Sequence, residues 1–115
     1  DLTIPMLVAI GEESLAEGEL RRRVASDGPR ADDLALLASL LGNKGDAGLE
    51  ESLALFIRAT EADPDNDESW ARRGLAAAKL GKMDEARRSW TRALELNPRR
   101  GDVAGWLRSL GPATP

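Results

Sequence analysis

Trp70-x2-Arg73-Gly74-x2-Ala77, followed by Ala86-x3-Trp90-x2-Ala93 and closed by Pro98, is the stretch on which the fold of this chain turns. Its second half has a counterpart earlier in the chain. Ser52, Phe56, Ala59 and Pro64 stand at the same internal spacings of four, three and five as Ala86, Trp90, Ala93 and Pro98, and the two prolines lie 34 residues apart. A fixed period of this length marks a chain built from stacked supersecondary units. Such units make surfaces that hold other molecules far more often than they make reaction centres.

Within the stretch the pattern reads as two helices. Asp63-Pro64-Asp65-Asn66-Asp67 is a turn and capping region, with Asp65 and Glu68 at capping-box spacing. The first helix is expected from about Glu68 to Leu80, with Trp70, Gly74, Ala77 and Gly81 along one face. Gly81-Lys82 breaks it. The second is expected from about Asp84 to Leu96, with Ala86, Trp90, Ala93 and Leu94 facing inward, and Asn97-Pro98 ends it because the residue before a proline is pushed out of helical geometry. Gly74 and Ala86 are small where two helices must cross closely, and Trp90 is large enough to fill the space between units.

These residues resemble the tetratricopeptide repeat, whose pattern is W-x2-L-G-x2-Y, then A-x3-F-x2-A, then P. Arg73 stands where that pattern has Leu. Either its aliphatic stem lies along the core with the charge at the rim, or the helix is rotated. An earlier, looser copy is visible in Leu34-x2-Leu37-Ala38-x2-Leu41, 36 residues before the Trp70 set, with Gly45 likewise 36 before Gly81. Since the second helices keep the 34-residue offset, two extra residues are expected in the Gly45–Glu51 turn, as an enlarged loop over Gly42–Gly48.

The flanks extend the pattern. Ser14 to Ser26 reads as a repeat-like helix, with Ala16, Leu20 and Val24 on one face and Asp27-Gly28-Pro29 at its end. Val103, Trp106, Leu107 and Leu110 follow i, i+3, i+4, i+7 spacing, the mark of a short amphipathic capping helix. The expected organisation is an apolar N-terminal segment over 1–13, a repeat-like helix over 14–30, a first repeat over 31–66, a second over 67–100, and a capping helix and tail over 101–115. In the first segment Leu2, Ile4, Met6, Val8 and Ile10 alternate as in an extended strand, while Pro5 equally suits the start of a short helix. A tail this apolar is expected to pack on the first helix or to dock on a neighbouring chain. The resemblance implies an all-α fold, a short right-handed superhelical stack of helix-turn-helix repeats.

Composition narrows the function. The chain has 115 residues, 42% of them hydrophobic and only 3% aromatic, so one small domain with a core of Leu and Ala is expected. Its formal charge is −4, against the basic footprint of a nucleic-acid binder. With neither cysteine nor histidine there is no disulfide, no ordinary zinc site and no histidine acid–base chemistry. The lack of cysteine fits a reducing compartment without excluding others. No apolar run reaches the roughly 18 residues of a membrane span, so no membrane insertion is expected within the chain. Thirteen arginines against three lysines hint at a GC-rich bacterial genome, hence a bacterial cytoplasm or periplasm. Opening on Asp1 rather than Met, the chain reads as a fragment or a processed product.

Three constellations look chemical and fail on inspection. Asp63, Asp65 and Asp67 imitate the opening of a calcium loop, but Glu68 and Gly74 stand where Gly and a bidentate Glu are needed. Gly42-x2-Gly45-x2-Gly48 lacks the Lys-Ser/Thr ending and the preceding strand of a phosphate cradle. The arginine clusters are interleaved with acids, as on solvated helix faces. No catalytic residue, metal or cofactor is expected.

What remains is a binding surface. The resemblance implies that the first helix of each repeat lines a concave, ligand-contacting face. Residues opposite the Trp70–Gly74–Ala77 stripe are Glu68, Arg72, Leu75 and Lys79, and their counterparts on the earlier repeat are Asp32, Leu36, Ser39 and Asn43. Arg72 and Lys79 suit a carboxylate; Leu36 and Leu75 suit an apolar side chain. The Lys/Asn/Arg set by which some family members clamp a C-terminal carboxylate is incomplete here. The expected function is therefore a protein-interaction scaffold that receives a peptide or helix of a partner protein. Two alternatives stand beside it: self-association into a homo-oligomer, and an accessory domain of a larger bacterial assembly factor such as a cytochrome c maturation protein.

Overall fold

Both prolines of the repeat stop a helix in the same way. Asp63, before Pro64, has φ −139° and ψ 85°, and Asn97, before Pro98, has φ −142° and ψ 89°. The proline ring crowds the preceding residue out of the helical region, so a 34-residue repetition in sequence becomes a repetition in backbone shape. The computed structural model describes residues 4, 5, 11 and 13–111. Among these the chain is all-α, with helices α1 (Glu13–Val24), α2 (Ala31–Leu41), α3 (Asp46–Ala62), α4 (Asp67–Lys79), α5 (Met83–Leu96) and α6 (Gly101–Ser109). Each helix packs on the next, most closely within the α2–α3 and α4–α5 hairpins. The result is an elongated stack of 51 × 27 × 25 Å.

The inward stripes are those the periodicity marks. Ala16, Leu20 and Val24 of α1, Leu34, Leu37, Ala38 and Leu41 of α2, and Ala86, Trp90 and Ala93 of α5 are buried, as is Val103 of α6. Trp106, Leu107 and Leu110 pack partly buried against the same core. In the N-terminal segment Ile4 and Pro5 are helical, the alternative that Pro5 allows, and Ile4 joins the core at 3% exposure. The remainder of the 1–10 segment lies outside the described residues.

Two local expectations are corrected and one open alternative is resolved. First, the cap of α4 is Asn66, not Asp65: its side-chain oxygen accepts from the Ser69 N–H at 3.2 Å. The helix begins at Asp67, and the residue immediately before it, Asn66, takes the capping position. Second, the enlarged Gly42–Gly48 loop ends already at Gly45, since α3 starts at Asp46 and the supposed Gly45–Glu51 turn is its first turn. The extra length is carried by the helix, 17 residues in α3 against 14 in α5. Gly48 makes this feasible, because a Cβ there would lie 2.2 Å from the Leu41 carbonyl oxygen. Third, Arg73 resolves to the rim arrangement. Its side chain is 17% exposed and pairs with Glu85 at 2.7 Å. Its Nη1 donates to Thr60 Oγ1 at 2.9 Å, and its guanidinium lies 4.9 Å from the Trp70 ring centre. One arginine thus ties α4 to both α3 and α5, a polar link where the repeat pattern has an apolar one.

The α4–α5 crossing depends on a missing atom. A Cβ on Gly74 would lie 2.3 Å from Trp90 Nε1, and that Nε1 donates to the Ala71 carbonyl at 3.1 Å. In the α2–α3 hairpin the corresponding pair is Ala38 and Phe56, both buried. A methyl gained on one helix is matched by a smaller ring on the other. Gly74→Ala alone is expected to cost about 1–3 kcal/mol by overpacking, and Trp90→Ala about 3–5 kcal/mol by truncation. The double variant Gly74→Ala with Trp90→Phe, which copies the first hairpin, is expected to recover much of the loss. Urea unfolding of the full cycle checks this; a double variant as unstable as the sum of its singles would contradict the compensation.

Candidate functional site

The first turns of α2 and α4 are acidic, as the helix dipole favours, and Lys79 closes the last turn of α4. Between these two helices, with α3 as floor, lies a cleft of about 90 Å³. Five of the eight expected ligand-facing residues line it: Ser39 and Asn43 from one side, Arg72, Leu75 and Lys79 from the other. Phe56, Leu49 and Ser52 of α3 form its floor. Asp32, Leu36 and Glu68 are not among the lining residues. Asp32 is exposed, with Arg30 3.8 Å away, and Leu36 packs at the edge of the core.

Charge in the cleft lining is one-sided. Lys79 is exposed and, among the described residues, makes no ion pair. Arg72 is held along its own helix, its Nε donating to Glu68 Oε1 at 2.8 Å. Glu68 is in turn gripped by Arg100, whose Nη1 donates to Glu68 Oε2 at 2.6 Å and to Asp67 Oδ2 at 3.2 Å. Arg100 also pairs with Asp102 at 3.0 Å. A chain of charge therefore runs from the cleft margin through α4 to the start of α6. Burial pushes the Glu68 carboxyl upward, but hydrogen bonds and charge from Arg100 and Arg72 outweigh it and hold it below the ordinary 4.5. The Asp102 carboxyl is lowered by its hydrogen bond with Arg100 and by the Val103 N–H.

Of the floor residues, Phe56 and Ser52 enter the sequence pattern only as repeat positions, and Leu49 is not marked by it. Phe56 and Ser52 do both jobs: Ser52 Oγ donates to the Ala38 carbonyl at 2.7 Å while its side chain borders the cleft. The signal in the sequence was size. Phe56 stands where the next repeat has Trp90, and the smaller ring leaves space between repeats.

A cleft this small differs from the roughly 300–1,000 Å³ of small-molecule and cofactor pockets. It fits one side chain of a larger ligand. With a groove, cationic groups on one wall and an apolar floor on a stack of helical hairpins, the molecule is a protein-interaction module of the helical-repeat class. Residues 68–100, which hold the α4–α5 hairpin, match the tetratricopeptide repeat family model. No curated protein sequence matches the chain. Solved structures with the same fold include YrrB, a tetratricopeptide-repeat protein with an unusual peptide-binding site (22% identity over 91% of this chain and 53% of that one, TM-score 0.77). The first tetratricopeptide repeat of Spaghetti (RPAP3), bound to the HSP90 peptide SRMEEVD, is similar at 20% identity over 93% and 83% of the two chains, TM-score 0.82. A MamA structure (AMB-1) matches at 25% identity over 94% and 60%, TM-score 0.82. The chain thus spans about half of YrrB and 60% of that MamA.

The charge chain has a pH signature. Carboxyls whose folded values are depressed contribute stability that is present above their ordinary values, near 4.5 and 3.8, and lost as pH falls through the lower folded values. Arg100→Met releases both carboxyls towards ordinary values. Its stability should therefore fall less steeply than the wild type's between pH 5 and pH 3, ends chosen as roughly bracketing those values. Urea melts across that range check it, and an unchanged acid slope would refute the linkage.

Proposed function

We propose that the cleft between α2 and α4 belongs to the concave, ligand-bearing side of the stack and captures a peptide of a partner protein. An acidic group of the peptide pairs with Arg72 and Lys79, and an adjacent apolar side chain enters against Leu75 with Phe56 beneath it. Ser39 and Asn43 supply hydrogen bonds from the opposite wall. The observation that carries the reading is the convergence of these residues, from separate helices, on one small cleft with cations on a single wall. Peptide binding by two structural relatives supports it: YrrB has a peptide-binding site, and the peptide held by Spaghetti contains Glu-Glu and Asp.

Cationic residues on a half-exposed wall attract an acidic peptide even though the chain as a whole is acidic, because a local field near the surface outweighs distant charge screened beyond about 10 Å. Affinity is therefore expected to fall as salt rises. Arg72→Glu combined with Lys79→Glu is expected to weaken binding of acidic peptides at least about tenfold, roughly 1.4 kcal/mol, with the melting temperature little changed. Fluorescence anisotropy against a panel of labelled acidic and charge-neutralised peptides checks this. Equal affinity of wild type and double variant would overturn the assignment of the cleft.

A further inference from the structure

The 34-residue step that carries Phe56 to Trp90 also carries Arg72 to Trp106. Phe56 and Arg72 together border the cleft between the first and second repeats. Their counterparts one step on are in direct contact, the Trp90 and Trp106 rings being 5.5 Å apart and tilted by 43°. Trp90 is buried at 3% exposure, whereas Trp106 is only partly buried. Trp90 is thus spent on the core, and Trp106 keeps ring surface open to solvent at the register position that Arg72 occupies in the cleft.

From this register we propose that Trp106 is a specificity-determining residue, an aromatic platform for an apolar or aromatic side chain of the same acidic peptide that Arg72 and Lys79 hold. The inference rests on the reading of the cleft given above and extends it by naming the ligand: an acidic group followed or preceded by an aromatic residue. The spacing follows from packing. Arg100 at the start of α6 bonds Asp67 and Glu68 in the first turn of α4, so the two helices stand side by side, a step of roughly 8–10 Å. A peptide in polyproline II form advances about 3.1 Å per residue and returns to the same side every three residues, roughly 9 Å. The aromatic side chain therefore stands three residues from the acidic one. Charge complementarity selects an acidic ligand, because Arg72 and Lys79 on α4 are the cations of the neighbouring cleft.

The test uses labelled heptapeptides with a central Glu and either Phe or Ala three positions before or after it, measured by anisotropy against the full chain. Wild type is expected to bind one of the Phe peptides about three- to tenfold more tightly than its Ala partner, the range of a single aromatic contact. Trp106→Leu keeps apolar packing on Trp90 and is expected to abolish that preference while leaving affinity for the Ala peptide within about twofold. Trp106→Ala should do the same where circular dichroism shows it folded. Equal binding of Phe and Ala peptides by the wild type would overturn this inference and leave the cleft reading standing. A preference that survives in Trp106→Leu would also overturn it. Absence of binding for every acidic peptide would overturn the cleft reading, and this inference with it.

Discussion

The contact between Trp90 and the bare backbone of Gly74 holds the second hairpin at its crossing distance. The indole occupies the volume in which any side chain at position 74 would sit, and its N–H is satisfied by the Ala71 carbonyl, so a large ring is buried without an orphaned donor. The same ring receives Trp106 of α6 on its outer side. One residue thus fixes α4 to α5 and gives α6 its seat. The first hairpin solves the same problem with Ala38 and Phe56, a volume-conserving exchange of the kind cores tolerate best. The exchange has a consequence between repeats. Phe56 leaves a gap towards α4 that is the cleft, whereas Trp90 is met by a second indole.

Arg73 shows how a polar residue can replace an apolar one at a repeat joint. Its charge is answered by Glu85 and by Thr60 Oγ1, and its plane faces Trp70. Burial alone would raise the Glu85 carboxyl, but the hydrogen bond and charge of Arg73, with those of Arg88, hold it low. Such a link is weaker than a leucine in transfer free energy, yet it is directional. Partners on α3 and α5 must both be in place for it to form. Trp70 is fixed in its turn by an N–H donated to the Pro64 carbonyl at 2.8 Å, which secures the inter-repeat turn from inside.

Much of the fold was legible because the repeat encodes it twice. The spacing of Pro64 and Pro98, the small residues at Gly74 and Ala86, and the stripe of α1 each have one cheap structural solution. The illegible parts are those in which neighbours in space outweigh neighbours in sequence. Asn66 and Asp65 are both good caps, and only the starting residue of α4 decides between them. The insertion around Gly45 reads as a loop because the first helices are offset by 36 residues and the second by 34, yet Gly48 lets helix backbone pass the Leu41 carbonyl. In the cleft, helical periodicity found the wall residues Ser39, Asn43, Arg72, Leu75 and Lys79. It had no means of finding the floor, since Phe56, Leu49 and Ser52 belong to the second helix and face inward. Asp32, Leu36 and Glu68 share that periodic face but stand outside the cleft, because periodicity fixes a helix face and not the position along it at which two helices leave space.

Glu68 is the residue whose position says most about how the site would work. It holds Arg72 beside the cleft while Arg100 holds Glu68, so the guanidinium is presented in a set orientation before any ligand arrives. Preorganisation of this kind lowers the entropic cost of binding. The Arg72–Glu68 pair is about half exposed on both sides, 50% and 51%, and pairs of that exposure contribute little stability. A ligand carboxylate can therefore share or replace Glu68 at small cost. The arginine's remaining donors stay available, because only its Nε is engaged by Glu68. Lys79, two turns further along the same helix face, adds charge without competition from a resident acid among the described residues. The α4 wall thus combines one oriented cation with one that no described acid engages. Under the proposed reading of the cleft, that arrangement favours a ligand with two acidic groups, or with one acidic group and a neighbouring carbonyl, over an isolated small anion.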